Sequence, residues 1–174
     1  MKETKYYVFI FSLFSFVYFT GGSPINFLNN EWLSPGDSGW HWINWLFFRE
    51  TPLFQFPIFE NYNYGMELSS SIAINDSLPI MALIFKPFSS LLPIDFQYLG
   101  LWLLISYVMT SYFSNLILTK FGFSLINKIL VTAILLLSPI VLERFIAGHF
   151  NLMSHWLILW GFFLYQKNEK STRN

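Results

Sequence analysis

Residues 96–118 read FQYLGLWLLISYVMTSYFSNLIL and contain no charged side chain. A helix needs roughly 17–25 mostly apolar residues to cross the hydrocarbon core of a bilayer, because each residue advances it by about 1.5 Å. This stretch therefore predicts a membrane-spanning helix.

Four other apolar stretches lie on either side of it, and three of them are long enough to span when flanking residues are included. These three are residues 6–22, 126–142 and 150–166. The fourth, residues 78–92, is short and is interrupted by Lys86-Pro87. Because Pro removes a backbone hydrogen bond and Lys is costly in lipid, we predict a short re-entrant or surface helix here. The predicted fold is all-α, a polytopic integral membrane helix bundle that forms a single domain over residues 1–174.

The composition agrees with a membrane protein and argues against several other classes. Hydrophobic residues make up 54% of the chain and charged residues 11%, against about 25% charged residues in ordinary soluble domains. The formal net charge is zero, so no basic surface indicates a nucleic-acid partner. The sequence has no cysteine, which excludes disulfides, thiolate catalysis and cysteine-ligated zinc.

The N-terminal stretch, residues 6–22, fits two interpretations. Lys2 and Lys5 before it and Thr20-Gly21-Gly22-Ser23 at its end are compatible with a signal peptide. An uncleaved signal anchor is favoured, because the stretch is rich in bulky aromatic residues and lacks a cleavage site of the Ala-x-Ala type. Under either interpretation the chain after it leaves the cytoplasm.

Charge indicates the topology of the remaining segments. If residues 78–92 do not cross, seven Lys and Arg residues lie inside and three lie outside, as the positive-inside rule prefers. The N-terminus and the tail, residues 167–174, are then cytoplasmic. The long first loop, residues 23–77, is extracytoplasmic. Residues 143–151 share that outer face, so we expect them to lie near the loop.

Within the loop, residues 38–50 predict an amphipathic juxtamembrane helix. At 100° per residue, Asp37, His41 and Asn44 fall within about 60° of one another, and aromatic or aliphatic side chains cover most of the rest. Asp37 follows Pro35-Gly36, so an N-cap role is favoured on spacing alone. The two roles are compatible, because a capping aspartate at the mouth of a cavity can also act as a base.

Other polar residues of the loop have more than one interpretation. Tyr64 precedes Glu67, and tyrosines beside carboxylates suit sugar recognition. An interfacial aromatic belt explains the same tyrosines and is slightly favoured. Asp76-Ser77 is expected to cap the helix that begins at Leu78.

Three later residues are further candidates. Lys86 is an ionisable residue in an apolar stretch, so it is either functional or snorkels its ammonium to the surface. Arg144 also fits a simple surface ion pair with Glu143, which contributes little to stability. His149 follows the third predicted span, but its spacing of six residues from His155 does not favour a histidine-based metal site.

Several local strings form a recognisable pattern: Gly36-Asp37 with His41, Asn63-Tyr64-Gly65-Met66-Glu67, Asn75-Asp76-Ser77-Leu78-Pro79, Phe85-Lys86-Pro87-Phe88, Phe96-Gln97-Tyr98-Leu99-Gly100-Leu101-Trp102, Gly148-His149 and His155-Trp156. Together they resemble the N-terminal part of the GT-C membrane glycosyltransferases, which include protein mannosyltransferases and the aminoarabinose transferase of lipid A. The resemblance is closest to an uncharacterised bacterial polytopic membrane family of that type, and it covers roughly residues 5–166.

This resemblance implies transfer of a sugar from a polyprenyl-phosphate-linked donor on the extracytoplasmic face of a bacterial cytoplasmic (inner) membrane. Asp37 matches the GT-C aspartate that acts as a base toward the acceptor or holds a metal, so it is the implied catalytic residue and the implied ligand of a divalent metal. Basic residues hold the carrier phosphate in that family. The available basic residues are Arg49, Lys86 and Arg144, and the other candidate substrate-binding residues are His41, Asn44, Glu67, Asp76 and His149.

GT-C enzymes are much longer than this chain. We therefore expect either a truncated part of such an enzyme or a second chain that supplies the missing transmembrane helices. The alternative function is a non-catalytic multi-pass subunit that binds membrane lipid, a lipid-linked sugar or a partner membrane protein. A transporter is disfavoured, because the acidic and aromatic residues gather in an outer loop instead of at the bilayer midplane.

Overall fold

The computed structural model describes residues 2–33, 36–75 and 77–172. This part of the chain is mostly helical, which confirms the all-α class. The helices are α1 (Lys2–Thr20), α2 (Asp37–Arg49), α3 (Pro79–Phe85), α4 (Leu99–Lys120), α5 (Leu125–Leu136), α6 (Pro139–Ile146) and α7 (Trp156–Thr172). Two short strands, β1 (Glu60–Asn61) and β2 (Ser70–Ser71), pair antiparallel, with Glu60 opposite Ser71.

The chain divides into two compact units, where the sequence predicted a single domain over residues 1–174. The helical unit comprises Met1–Gly22, Leu103–Arg144 and Leu152–Asn174. The loop unit comprises Ser23–Trp102 and Phe145–Asn151. The loop unit thus unites a long first loop with a distant turn, which agrees with the expectation for residues 145–151, whereas residues 143 and 144 belong to the helical unit.

Two helical stretches among the described residues are long and apolar enough to cross a membrane. They are Leu99–Lys120 and Leu125–Ile146, and they overlap the stretches 96–118 and 126–142. The second stretch is interrupted at Leu137-Ser138 and continues as α6, because Pro139 has no N–H to continue the hydrogen-bond ladder of α5. The stretch 150–166 begins with a 3₁₀ helix, Phe150–Met153, and its α-helix starts only at Trp156.

The helices of the helical unit pack through small hydroxyl side chains and aromatic rings. The Oγ of Ser114 on α4 lies 3.1 Å from the Oγ1 of Thr132 on α5, and both side chains are buried. The ring of Phe16 on α1 meets Tyr107 on α4 edge-to-face, with centroids 5.4 Å apart. Small polar residues at helix contacts let backbones approach closely, as in membrane helix bundles.

The loop unit has an aromatic core that fixes α2. Trp45 is buried against Tyr98 with ring centroids 5.2 Å apart, and its Nε1 donates to the carbonyl of Phe96 at 3.2 Å. The buried hydroxyl of Tyr98 donates to the carbonyl of Ser77 at 2.6 Å. These contacts fix helix α2 at Trp45 within the loop unit.

Candidate functional site

Helix α2 places Asp37 at its first position. The N-cap is Gly36, with φ of 111°, so the prediction that Asp37 caps the helix is wrong. The Oδ2 of Asp37 instead lies 3.1 Å from the Nε2 of His149, and the Asp37 side chain is 59% exposed. A carboxylate in the first turn is favoured by the helix dipole, and this one remains accessible to a ligand.

The turn that carries His149 is fixed to α2 by its backbone. Buried His41 forms a hydrogen bond of 2.8 Å between its Nε2 and the carbonyl of Gly148. Gly148 has φ of +78°, and a Cβ there would lie 2.5 Å from the backbone nitrogen of Ser38. Only glycine fits this approach without a shift, so Gly148 determines where His149 stands relative to Asp37.

An asparagine network continues the site along α2. The buried side chain of Asn44 donates through Nδ2 to the carbonyl of Trp40 at 2.8 Å. Its Oδ1 accepts from the Nδ2 of Asn75 at 2.8 Å, and Asn75 also donates to the Oγ of Ser70 at 2.9 Å. Asn61, fully buried, donates to the backbone carbonyl of Asn44 at 3.1 Å. These bonds fix the amides and hold the β1–β2 hairpin against α2.

These residues line an open cavity of about 340 Å³ within the loop unit. Its described lining consists of Asp37, Trp40, His41, Asn44, Tyr64, Ile74, Asn75 and His149. The lining offers a carboxylate, two imidazoles, two amides and two aromatic rings, but no Lys or Arg among the described residues. Amides and carboxylates pair with hydroxyl groups, and aromatic rings stack on the apolar faces of sugars. The cavity therefore suits an uncharged, hydroxyl-rich ligand.

Four of the predicted site residues meet at this cavity: Asp37, His41, Asn44 and His149. Trp40 and Asn75 line it as well, although they were not among the predicted substrate-binding residues. Trp40 follows Asp37 by three positions, a spacing that places both on one helix face, so the sequence did contain that signal. Asn75 reaches the cavity only because the hairpin returns the chain to α2, and a four-residue pairing has no clear sequence signature.

Arg49 and Lys86 occupy a different part of the loop unit and do not line the cavity. The Arg49 guanidinium donates to the carbonyls of Ser89, Leu92 and Pro93 at 2.6, 2.5 and 2.8 Å. The Lys86 ammonium donates to the Oγ1 of Thr51 at 2.7 Å. Both side chains are buried, so these contacts give no support to the phosphate-binding role that the resemblance implied.

The environment of Lys86 also changes its acidity. Its Nζ lies 3.9 Å from the ring centroid of Phe48, and only 5% of the residue is exposed. Burial disfavours the charged form and lowers the pKa of Lys86 from 10.5 to about 8. The ammonium does not reach the surface, so the snorkelling interpretation of Lys86 is wrong.

The remaining predicted residues are Arg144, Glu67 and Asp76. Arg144 belongs to the helical unit, where its Nε is 3.4 Å from the Oε2 of Glu143. The Glu67 side chain and the whole of Asp76 lie outside the described residues. The N-cap of α3 is Leu78, whose side chain makes no capping hydrogen bond. The Oγ of Ser77 donates to the carbonyl of Asn75 instead of capping the helix. The predicted capping role is therefore wrong for Ser77.

Asp37 is also the residue that the resemblance implied as the ligand of a divalent metal. A catalytic zinc site uses three protein ligands, and no group of three His, Cys, Asp or Glu that could hold a metal occurs in the part of the chain that the structure describes. In the cavity, the Oδ2 of Asp37 lies 3.1 Å from the Nε2 of His149, and the Nε2 of His41 is hydrogen-bonded to the Gly148 carbonyl. The Asp37 carboxylate and the His149 imidazole thus lie within hydrogen-bonding distance of each other.

Comparison with known proteins gives one match. The model of a family described as "Domain of unknown function (DUF6311)" matches residues 9–174, nearly the whole chain. No curated protein matches the chain. No solved structure matches it either.

Proposed function

We propose that this chain, which belongs to the DUF6311 family, is a membrane glycosyltransferase or the N-terminal part of one. It would transfer a sugar from a polyprenyl-phosphate-linked donor to an acceptor hydroxyl. The observation that carries the proposal is the cavity in which the carboxylate of Asp37, the imidazole of His149 and the amides of Asn44 and Asn75 converge. These groups suit a sugar or another hydroxyl-rich ligand better than an apolar or an anionic one.

In the proposed step, Asp37 accepts the proton of the acceptor hydroxyl. The acceptor oxygen forms a bond to the anomeric carbon, the bond from that carbon to the phosphate oxygen breaks, and the polyprenyl phosphate leaves with the electron pair. His149 holds the carboxylate in position through the 3.1 Å contact. A positioned proton acceptor of this kind typically contributes 10²–10⁴-fold to the rate.

The cavity is assigned to the sugar and the acceptor, not to the phosphate. A departing phosphate requires positive charge, and the described lining contains no Lys or Arg. Arg49 and Lys86 use their donors inside the loop unit, so we do not propose them again as phosphate ligands. A second chain that supplies further helices and a cationic group remains part of the proposal.

We further propose that the chain is a multi-pass protein of the bacterial cytoplasmic membrane, with a cytoplasmic N-terminus. The support is the pair of stretches Leu99–Lys120 and Leu125–Ile146, each long and apolar enough to cross. The basic residues Lys120 and Lys128 flank the turn between them, which favours the cytoplasmic side for that turn. The loop unit then faces the extracytoplasmic side, where polyprenyl-linked sugars would be used.

The test is sugar transfer by the full chain in proteoliposomes. A radiolabelled short-chain polyprenyl-phosphate hexose serves as the donor, and release of the polyprenyl phosphate is measured with and without added acceptors. Asp37→Asn should reduce release by about 10²-fold or more. The control is Asp95→Asn, which changes an exposed carboxylate outside the cavity lining and should leave release unchanged. Full release by Asp37→Asn would remove the catalytic assignment.

A second candidate function is a non-catalytic subunit that binds the lipid-linked sugar. The observation that favours it is the lack of Lys or Arg in the described cavity lining, because a binding subunit needs no group to stabilise a leaving phosphate. The two functions differ in one result. If the wild-type chain binds the donor but releases no polyprenyl phosphate with any acceptor, the binding subunit is the correct function.

A further inference from the structure

In the segment from α3 to Pro93, large apolar side chains are exposed and the charged side chain is buried. A helix that faces water shows the opposite arrangement. Its exposed large apolar side chains are Ile80, Ile84, Phe88 and Leu91, which are 70, 53, 52 and 80% exposed. We call them the apolar stripe. The buried side contains Met81, Ala82 and the ammonium-bearing Lys86. A helix in water normally turns its charged residues out and its apolar residues in.

Charge is absent from the surface of this segment. Between Ser77 and Ile94, Lys86 is the sole charged residue in the sequence, and it is buried. A docking surface for a soluble protein usually has an apolar centre with a polar, solvated rim. The apolar stripe instead continues to Ile94, which is 63% exposed.

The backbone of the segment is also adapted to a medium without water. The carbonyls at the end of a helix have no donors within the helix, and in an aqueous medium water molecules donate hydrogen bonds to them. Here Arg49 reaches from α2 and donates to the carbonyls of Ser89, Leu92 and Pro93. The carbonyl of Lys86 accepts a hydrogen bond of 2.7 Å from the Ser89 hydroxyl. Such internal donors are required where lipid, not water, surrounds the chain.

The position of the segment in the chain indicates which medium covers it. Leu99, the first residue of a stretch long enough to span a membrane, follows Ile94 by five residues, which cover at most about 17 Å when extended. Trp102 and the preceding turn of α4 belong to the loop unit together with the stripe. A stripe so close in sequence to a candidate span lies within reach of the bilayer surface.

We propose that the apolar stripe faces lipid acyl chains, so that residues 79–93 lie in the bilayer surface without crossing it. This inference rests on the membrane residence proposed above but not on sugar transfer. Arg49 and Lys86 act as internal supports of this segment: Arg49 satisfies its terminal carbonyls, and Lys86 bonds to Thr51 on the side away from the stripe.

The absence of cysteine from the chain allows a direct test. Single cysteines are introduced by Ile84→Cys and Phe88→Cys and labelled with an environment-sensitive fluorophore, and the full-length protein is reconstituted at one copy per nanodisc. Quenching is measured with nitroxide-labelled phospholipids and with aqueous iodide. Asn63→Cys, in the exposed part of the hairpin loop, provides the water-facing control. Ile134→Cys, an exposed position on α5 within the second candidate span, provides the lipid-facing control.

We expect both stripe positions to match Ile134→Cys, with strong quenching by lipid nitroxides and iodide quenching several-fold weaker than at Asn63→Cys. Iodide access at both stripe positions, with Ile134→Cys quenched by lipid, would overturn the inference and leave membrane residence intact. Protection from iodide without lipid quenching would also overturn it, because a protein partner would then cover the stripe. Failure of lipid quenching at Ile134→Cys as well would refute membrane residence itself.

Discussion

The two ends of helix α2 use charged side chains in opposite ways. At the N-terminal end, Asp37 is 59% exposed at an open cavity, with His149 as its partner. At the C-terminal end, the Arg49 side chain is 4% exposed, and its Nη1 and Nη2 donate to three backbone carbonyls. The N-terminal end keeps an ionisable group accessible to a ligand. At the C-terminal end, the charged group forms hydrogen bonds that stabilise the fold.

This difference separates residues that the resemblance grouped together. Asp37 and Arg49 were both candidate site residues, one for catalysis and one for the carrier phosphate. An exposed carboxylate beside an imidazole can still gain a ligand. A guanidinium that already supplies three carbonyls can bind a phosphate only by abandoning them, and buried carbonyls without donors are costly. Substitution of Asp37 is therefore expected to affect catalysis, and substitution of Arg49 is expected to lower stability.

The largest effect is expected from Arg49→Met. The substitution keeps most of the side-chain volume but leaves the carbonyls of Ser89, Leu92 and Pro93 without their donor, so the free energy of unfolding should fall by about 3 kcal/mol or more. Thermal or chemical unfolding of the purified chain in detergent measures it. The control is Glu50→Gln: its carboxylate is 68% exposed and 3.9 Å from the Arg49 Nε, so a change within about 0.5 kcal/mol is expected. Equal stability of Arg49→Met and wild type would contradict the structural role of Arg49.

A smaller loss of stability, with a loss of binding, is expected from Gly148→Ala. The new Cβ would lie 2.5 Å from the Ser38 nitrogen, so the turn must move and separate His149 from Asp37. Gly122→Ala is the matched control, because Gly122 has a similar φ of +76° but nothing within 4 Å of its added Cβ. Both variants should lose about 1–2 kcal/mol from the left-handed backbone. Gly148→Ala should lose more and also lose donor binding. Identical stability and donor binding in the two variants would refute the role of Gly148 in holding His149 near Asp37.

The third effect on stability is a pH dependence that Lys86 contributes. Below pH 8, Lys86 is charged in both the folded and the unfolded states. Its folded pKa is about 8 and its ordinary pKa is 10.5, so between these values the unfolded state binds more protons. The contribution of Lys86 to the free energy of unfolding therefore rises with pH across this window. Unfolding of wild type and of Lys86→Met is compared from pH 7 to 10.5, and the difference between them should depend on pH. A constant difference would mean that the ammonium is not buried.

The sequence predicted the accessible end of α2 better than the buried end. Helical spacing alone placed Asp37, His41 and Asn44 on one stripe, and the charge-based topology brought His149 near them. Helical spacing shows which residues share a face, but it does not show what that face meets. The contacts of Arg49 with the carbonyls of residues 89–93 join positions 40 to 44 residues apart in the sequence, and no local pattern indicates them. The prediction that Asp37 caps α2 was wrong because glycine is also accepted at an N-cap, and Gly36 occupies that position.

The most direct test of the Asp37 cavity uses the three histidines of the chain. His41 and His149 line the cavity, while His155 lies in the helical unit and lines a separate pocket. Histidine-selective ¹⁵N-labelled full-length protein in nanodiscs is titrated with the polyprenyl-phosphate hexose, and the ring resonances are followed by NMR. The proposed site predicts shifts at His41 and His149, an unchanged His155 and loss of the response in Asp37→Asn. An unchanged spectrum at saturating donor, or a shift confined to His155, would contradict it.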